Sequence, residues 1–385
     1  MPWDVCIVGA GPVGLALALA VAREGRSVLV IEENPGTSEH SRAPAIWPRT
    51  QEILADLDVL SSFLREGIAL REVSLHDADR GAALIRFPLG ELAGETDHPQ
   101  LLILPQSDTE RLLCDAVRQQ PAAEVRFSYE LVGLDAEEDR VVLTCRRGDD
   151  VHREEARFVA GCDGGHSRVR EAIGASLEGM TYDARAALAD VRLSDGDDLP
   201  FPRLTTRPKL AVGIRLGDRL WRLILPITGG EEPLPWRVAR TVESLFPGCA
   251  YEPVWSSEFR LHRRVSSRFT AGRVALAGDA AHLNSPVGGQ GMNAGIQDVA
   301  VLAPALRQAL RTDTTEPLAR YERQRRPEVE RGVNRFTDVL TRLVFAGGGR
   351  MIRPVLRSAA LVLRAAPARH AFLRRAAMLD AARDA

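Results

Sequence analysis

The pattern of apolar and polar positions is sharpest at the amino terminus. Val5–Val8 is a short unbroken apolar run, followed by Gly9, Gly11 and Gly14; apolar residues then recur at helical spacing over Leu15–Glu24 and stop at Gly25. A second apolar run, Ser27–Ile31, is closed by Glu32. Short continuous apolar runs predict strands buried on both faces, so this stretch predicts a parallel βαβ unit. Two later runs repeat the opening of that pattern. Phe158–Gly161 leads into Asp163-Gly164, a turn, and a helix carrying Ser167, Arg168 and Arg170. Val274–Ala277 leads into Gly278-Asp279 and, after Pro286, into Gly288-Gly289-Gln290-Gly291-Met292-Asn293 and a helix beginning near Ala294.

Between these segments the period changes to two. Residues 209–227, "KLAVGIRLGDRLWRLILPI", alternate with a hairpin signal at Gly217-Asp218 and, with 74–104, predict a sheet. Residues 336–385 return to helical spacing, interrupted by Pro367. The fold class predicted is α/β: a Rossmann-like domain with a parallel sheet (1–73, 98–180 and 270–310), an inserted mainly β domain (74–97 and 181–269) and a C-terminal helical region (311–385). Within the last region, residues 336–385 are expected to cover the parallel-sheet domain. Their arginine-rich amphipathic character also allows contact with a membrane surface.

Composition narrows the function. A chain of 385 residues, 45% hydrophobic, can bury a sizeable core. Its formal net charge of −2 gives no global basic field for non-specific nucleic-acid binding, which favours a small-molecule partner. The cysteines, Cys6, Cys114, Cys145, Cys162 and Cys249, form no CxxC pair, so neither zinc site nor disulfide framework is expected and a reducing cytoplasm fits. The first apolar stretch lacks a basic leader and is broken by glycines and Arg23, unlike a signal peptide or a bilayer span. Lys209 is the single lysine, which restricts mechanisms that need one.

The chemistry of the first unit follows from its glycines. Gly9 permits the tight turn, Gly11 lets backbone approach a pyrophosphate, Gly14 allows close helix–strand packing, and the helix N-terminus offers free N–H groups to an anion. Glu32 is placed to accept from a ribose, and it disfavours NADP because a 2′-phosphate would face a carboxylate. By itself the fingerprint predicts a dinucleotide and does not separate FAD from NAD.

The three motifs in this order resemble the single-component, group A flavin-dependent aromatic hydroxylases, whose prototype is p-hydroxybenzoate hydroxylase. The resemblance covers roughly residues 3–335 and extends to "RAPAIWPRTQEIL" (42–54), "LPQSDTERLL" (104–113) and "YERQRRPEVE" (321–330). It implies that Gly9, Gly11, Gly14 and Glu32 hold the ADP half of FAD, that Asp279 bonds the ribityl chain, and that Arg42, Gln106 and Asp163 contact the cofactor from other segments. It also implies that Pro286, Gly289, Gly291, Met292 and Asn293 lie along the isoalloxazine, with the Met292 and Asn293 N–H groups aimed at its C2 carbonyl. A helix N-terminus there suits reduced flavin, which is anionic across N1 and O2.

Two features depart from the family's commonest form. Asn284-Ser285-Pro286 stands where two prolines are frequent, and the chain looks like the short form without a thioredoxin-like domain. Arg168 reads equally as a salt-bridge partner, the Tyr321–Pro327 segment as a packing and helix-terminating feature, and His282 as structural or functional. No catalytic base is assigned. Tyr182, Arg215, Trp221 and His262 are candidate substrate contacts in the inserted sheet.

The activity implied is NAD(P)H-dependent hydroxylation of a phenolic or polyketide-like aromatic, with O2 reacting at reduced FAD to give a C4a-hydroperoxide; no second dinucleotide fingerprint is visible, as the family's transient nicotinamide binding requires. Baeyer–Villiger oxidation and double-bond reduction remain open on the same scaffold, as does a non-catalytic flavin-binding partner. A halogenase is disfavoured, because no WxWxIP motif occurs and Lys209 lies in the insert.

Overall fold

The computed structural model describes residues 2–38, 43–207, 210–227, 232–345 and 352–380. Its helices are α1 (Pro12–Ala22), α2 (Pro48–Asp56), α3 (Leu60–Glu66), α4 (Gln106–Arg118), α5 (Arg168–Ala172), α6 (Leu234–Leu245), α7 (Gly291–Thr312), α8 (Glu316–Glu328), α9 (Asn334–Phe345), α10 (Ile352–Val362) and α11 (Ala366–Ala376).

The three apolar runs become neighbours in one sheet. Trp3–Val8 lies parallel to Val28–Ile31 on one side and to the end of Asp150–Gly161 on the other, with Val8 opposite both Ile31 and Gly161. Val274–Leu276 adds in parallel to Val159–Gly161. Val8, Gly161 and Leu276 therefore end at one edge, which brings Gly9, Cys162-Asp163 and Ala277-Gly278 side by side at the carboxyl ends of parallel strands, where open α/β sheets bind ligands. Val5, Ile7, Leu29, Val159 and Leu276 are fully buried, as α1 and α7 pack together on this sheet.

A second sheet has the strand order His282–Leu283, Tyr251–Ser266, Leu177–Leu193, Leu220–Ile227, Ala211–Gly217, Arg203–Thr205, Val73–Asp77, Ala82–Phe87. It reaches beyond the 74–97 and 181–269 limits, because the strand from Leu177 runs unbroken and because His282–Leu283 belongs to the third motif yet pairs with Arg264 and Val265. One face of this sheet carries Ala187, Ala189, Trp221, Leu223 and Leu225 onto Val242 and Leu245 of α6. The other face, with Ile214 and Leu216, meets Ala45, Trp47, Leu373 and Leu379.

The C-terminal helices differ from expectation. α10 packs on the strand Ala82–Phe87 and α11 on Leu89–Leu92, so they cover the second sheet, and the following residues reach the cofactor-side helices through Arg49 N–H to the Ala377 carbonyl at 3.3 Å. Pro367 sits in the first turn of α11, where its missing N–H is tolerated. Pro327 does not terminate its helix: α8 runs on to Glu328 and passes through a π-helical turn, Val329–Val333, into α9. Among the described residues no helix is long and apolar enough to cross a membrane.

Candidate active site

The first turn is held by backbone contact. Gly9 has φ +104°, and a methyl group there would lie 2.4 Å from the Cys162 carbonyl oxygen. At Gly14 it would lie 2.0 Å from the Gly9 carbonyl oxygen. Gly11 differs, since a methyl there would meet open space, and α1 starts behind it with no side-chain cap. The first N–H groups of α1 thus face an open cradle, with the positive end of the helix behind them. Glu32 stands beside it, accepting the Ala10 N–H at 2.8 Å and the Asn34 N–H at 3.0 Å.

Gln106 and Glu110 of α4 hold Ser38 and Ala43. Gln106 accepts the Ala43 N–H at 3.2 Å and donates to Glu110 at 2.8 Å, and Glu110 accepts the Ser38 N–H at 2.8 Å. Arg42 lies outside the described residues.

The third motif rests on a buried polar network. Asp298, on α7, accepts the Gly278 N–H and meets His282 Nε2, both at 2.8 Å, while Arg325 of α8 donates to its other oxygen at 3.0 Å and to the Ala294 carbonyl at 3.3 Å. Tyr321 adds a hydrogen bond from its hydroxyl to the Leu276 carbonyl at 2.8 Å. Asp298, His282, Tyr321 and Arg325 are all buried. Burial alone would raise the Asp298 carboxyl, but His282, Arg325 and the Gly278 N–H more than offset it and hold it below its usual range. The network fixes Gly278 at φ +60° and leaves Asp279 exposed between buried Gly278 and Ala280.

Beyond Asp279 the tract is folded over Asn293. That side chain accepts the Trp47 N–H at 2.9 Å and donates to the Ala45 and Gly289 carbonyls, each at 2.8 Å, so the residue offers the crevice its backbone rather than its amide. Trp47 Nε1 donates to the Gly288 carbonyl at 3.1 Å, and the Ser285 and Thr341 hydroxyls pair at 2.5 Å. Gly288 and Gly289 have φ +96° and +63°. The helix begins at Gly291, earlier than Ala294, with no side-chain cap, which puts Gly291, Met292 and Asn293 in the first turn with N–H groups that the helix itself leaves unpaired. A methyl at Gly291 would meet open space, a second cradle on the same edge; Pro286 is exposed and Met292 half-buried beside it.

Asp163 is used locally. It accepts the Ser167 hydroxyl at 2.5 Å and the Val169 N–H at 3.1 Å, closing the start of α5, and burial raises its carboxyl. Arg170, one turn on, donates to the Ala280 carbonyl at 3.0 Å and the Gly165 carbonyl at 2.8 Å, tying the second motif to the third. Arg168 pairs with Glu130 at 2.6 Å on the surface.

The substrate candidates separate by face. Trp221 is fully buried against Phe246 and Phe201, with ring centroids 4.7 Å and 6.1 Å away, on the α6 side of the sheet. Arg215 is its cross-strand neighbour and stacks on Phe201 at 4.8 Å. Both expectations are corrected: these side chains point away from the cofactor domain, because alternation gives a strand two faces without saying which is which. Tyr182 and His262 stay near the third motif. Tyr182 donates to Asp338 of α9 at 2.6 Å, and its hydroxyl is pushed up to about 12 by burial and by that carboxylate. His262 pairs with Thr181 at 3.0 Å and is lowered by burial and by Arg264, Arg260 and His166.

Asp298, Arg325 and Arg170 were not foreseen. Their signal was weak: a carboxylate inside the apolar run of α7, and two arginines in segments already full of them.

The comparisons with known proteins agree with this geometry. A family model described as an FAD binding domain matches residues 2–204 and 238–336. A para-nitrophenol 4-monooxygenase of Pseudomonas sp. (strain WBC-3) is 28% identical over 84% of this chain and 82% of its own. A 12-dehydrotetracycline 5-monooxygenase/anhydrotetracycline 6-monooxygenase of Streptomyces rimosus is 31% identical over 88% of this chain and 69% of its own. The crystal structure of p-nitrophenol 4-monooxygenase PnpA from Pseudomonas putida DLL-E4 superposes with a TM-score of 0.91 at 25% identity, covering 100% of this chain and 99% of that one. With two open glycine cradles on one sheet edge, Glu32 beside the first and Asp279 exposed before the second, the residues fit FAD, and the chain belongs to the FAD-binding family of flavin-dependent aromatic monooxygenases.

Proposed function

We propose that the chain uses NAD(P)H and O2 to hydroxylate a small phenolic or polyketide-like aromatic. One observation carries the reading: the uncapped first turn of α7 at Gly291–Asn293 opens on the edge where the three motif strands end, and the Ala45–Trp47 segment bonded to that turn packs with the inner face of the second sheet. FAD held there would supply activated oxygen for an electron-rich ring carbon, with the nicotinamide as reductant.

The chain's own residues bind and orient. The first turn of α1 takes the pyrophosphate, with Glu32 on the adenosine ribose. Asp279 takes the ribityl hydroxyls. The Met292 and Asn293 N–H groups stabilise negative charge at the flavin's pyrimidine edge without an ionisable partner. The apolar inner face, with Ile214 and Leu216 meeting Leu373 and Leu379, excludes water from the aromatic substrate. His262 and Tyr182, at the sheet end nearest the third motif, are the proposed polar contacts to substrate. The division into a cofactor domain, an inserted substrate sheet and C-terminal helices belongs to the same proposal, with sheet limits as given above.

The test is to purify the protein, measure bound FAD, and screen phenols and polycyclic aromatics for stimulated NAD(P)H oxidation coupled to a product heavier by one oxygen. A product hydroxylated on the ring supports the reading. A lactone from a ketone, or a product gaining two hydrogens, replaces it with the corresponding alternative, and failure to bind FAD removes it.

A further inference from the structure

The second sheet leaves one long edge open. Tyr251–Ser266 is bonded on its inner side to Leu177–Leu193, whereas its outer side is taken only at Arg264 and Val265, by Leu283 and His282. Near its start the strand bulges at Val254, where Asp190 opposes Trp255 and Val191 opposes Pro253. From Val254 to Arg263, no strand among the described residues pairs with the outer side. Val254, Ser256, Glu258 and Arg260 are exposed, and Trp255 and Phe259 are half-buried. A long unpaired edge is a template for another strand, and proteins that keep such an edge free interrupt it with proline, bulges or charge. Here Pro253 and the bulge stand at the start of the strand and leave its middle continuous.

The charges in that middle match one arrangement. Glu258 and Arg260 lie on one face of the strand, with Phe259 between them on the other. Arg260 stands directly opposite Arg185 and has no acidic partner among the described residues, while Glu258 reaches Arg185 at 3.5 Å. Like charges directly opposite each other destabilise a sheet, so a carboxylate on the outer side of Arg260 would offset the repulsion. An antiparallel second copy centred on Phe259 supplies it, because Glu258 of each copy then falls opposite Arg260 of the other. Moving the centre by one residue sets Glu258 against Glu258 or Arg260 against Arg260, which disfavours the neighbouring registers.

We propose that this edge is a self-association surface, through which two copies of the chain pair as antiparallel strands about a two-fold axis at Phe259 and join their second sheets into one. The contact uses the same patch on both copies and is closed. Backbone hydrogen bonds along the added strand give affinity, and the two Glu258 to Arg260 pairs give register. Glu258, Phe259 and Arg260 are not among the residues assigned to FAD or substrate.

The test is analytical ultracentrifugation of the FAD-loaded full chain over a dilution series. A species of twice the chain mass that dissociates on dilution is expected. Glu258→Arg and Arg260→Glu are each expected to be monomeric alone, because both intermolecular pairs become repulsive. An equimolar mixture of the two variants is expected to recover the doubled mass, since each offers the sign that the other lacks. Arg260→Glu also relieves the repulsion with Arg185 inside the chain, so circular dichroism and thermal unfolding should show it folded, and its monomeric state then cannot come from unfolding. Phe259→Cys should crosslink to a second copy under mild oxidation, because residues on the axis of an antiparallel pair lie within disulfide reach. The proposal is overturned if the wild type is monomeric throughout, if either charge variant keeps the doubled mass, or if mixing them does not restore it. The edge does not rest on the flavin reading, so its failure would leave that reading standing.

Discussion

The turn at Gly9–Gly14 and the tract at Gly278–Asn293 both deliver a helix whose first N–H groups lack a side-chain cap, but they are held in place by different means. At Gly9–Gly14 the structure is set by backbone against backbone: a single added methyl at Gly14 would sit 2.0 Å from the Gly9 carbonyl oxygen. At Gly278–Asn293 it is set by side chains, with His282 of the tract and Asp298 and Arg325 from beyond it under Gly278, Asn293 bonded to the Gly289 carbonyl, and Thr341 of a distant helix bonded to Ser285. A pyrophosphate needs a rigid, close-fitting turn. The flat edge of a flavin needs a longer stretch of exposed backbone, and a longer stretch requires scaffolding beneath it.

The comparison can be broken at either end. Gly14→Ala is expected to have the largest effect, because backbone must move: about 3 kcal/mol or more of stability, read by urea unfolding, with loss of retained FAD. A well-folded, yellow Gly14→Ala protein would show that the contact is not limiting. Asp298→Asn comes next, taking one of the two carboxylates that hold the buried Arg325 and leaving it Glu328 alone, at about 2 kcal/mol. Its loss should also loosen Gly278, so FAD retention falls with the unfolding midpoint.

The same residue gives a pH signature. Asp298 is held below its usual range in the folded chain, while an unfolded Asp titrates near about 3.9. Its stabilisation is therefore present above that pH and is lost as pH falls toward the folded value. Acid unfolding curves of the wild type should steepen below about pH 4 more than those of Asp298→Asn. Parallel curves would remove Asp298 from the account.

Smaller changes sharpen the contrast. Asp279→Ala removes an exposed carboxylate at the strand edge, so FAD affinity should fall roughly tenfold, a larger effect than the shift in the thermal unfolding midpoint. Thr341→Val removes one buried hydroxyl partner and should cost about 1 kcal/mol, with FAD still bound. Reversal of that order, with Thr341→Val releasing FAD and Asp279→Ala not, would mean that the roles of scaffold and contact are exchanged.

The same contrast explains what the sequence made legible. Gly9 and Gly14 could be read because contact constraints dictate residue type within a few positions of a strand end, and Gly11 because the fingerprint leaves that position open to a ligand. Glu32 and the glycine tract could be read at strand ends because their strands and helices announced themselves by period, while Gln106 came only from the family resemblance. The scaffold under the third motif could not be read, since Asp298, His282 and Arg325 find each other through folding rather than spacing. Trp221 and Arg215 were misplaced for a related reason: their alternation marked a strand correctly, but only packing against α6 decides which face they take. Pro327 suggested a helix end, yet it falls one residue short of the α8 terminus and the chain continues through a π turn.

The central claim is that this edge holds FAD for transfer of one oxygen atom to an aromatic ring. The most direct measurement is turnover of the FAD-loaded protein with NAD(P)H and a phenolic substrate under isotopically heavy oxygen gas, followed by mass spectrometry of the product. Incorporation of one gas-derived oxygen atom into the ring is predicted. Nicotinamide oxidation that yields hydrogen peroxide and unchanged aromatic across the whole substrate panel, or a product whose oxygen comes from water, would contradict it.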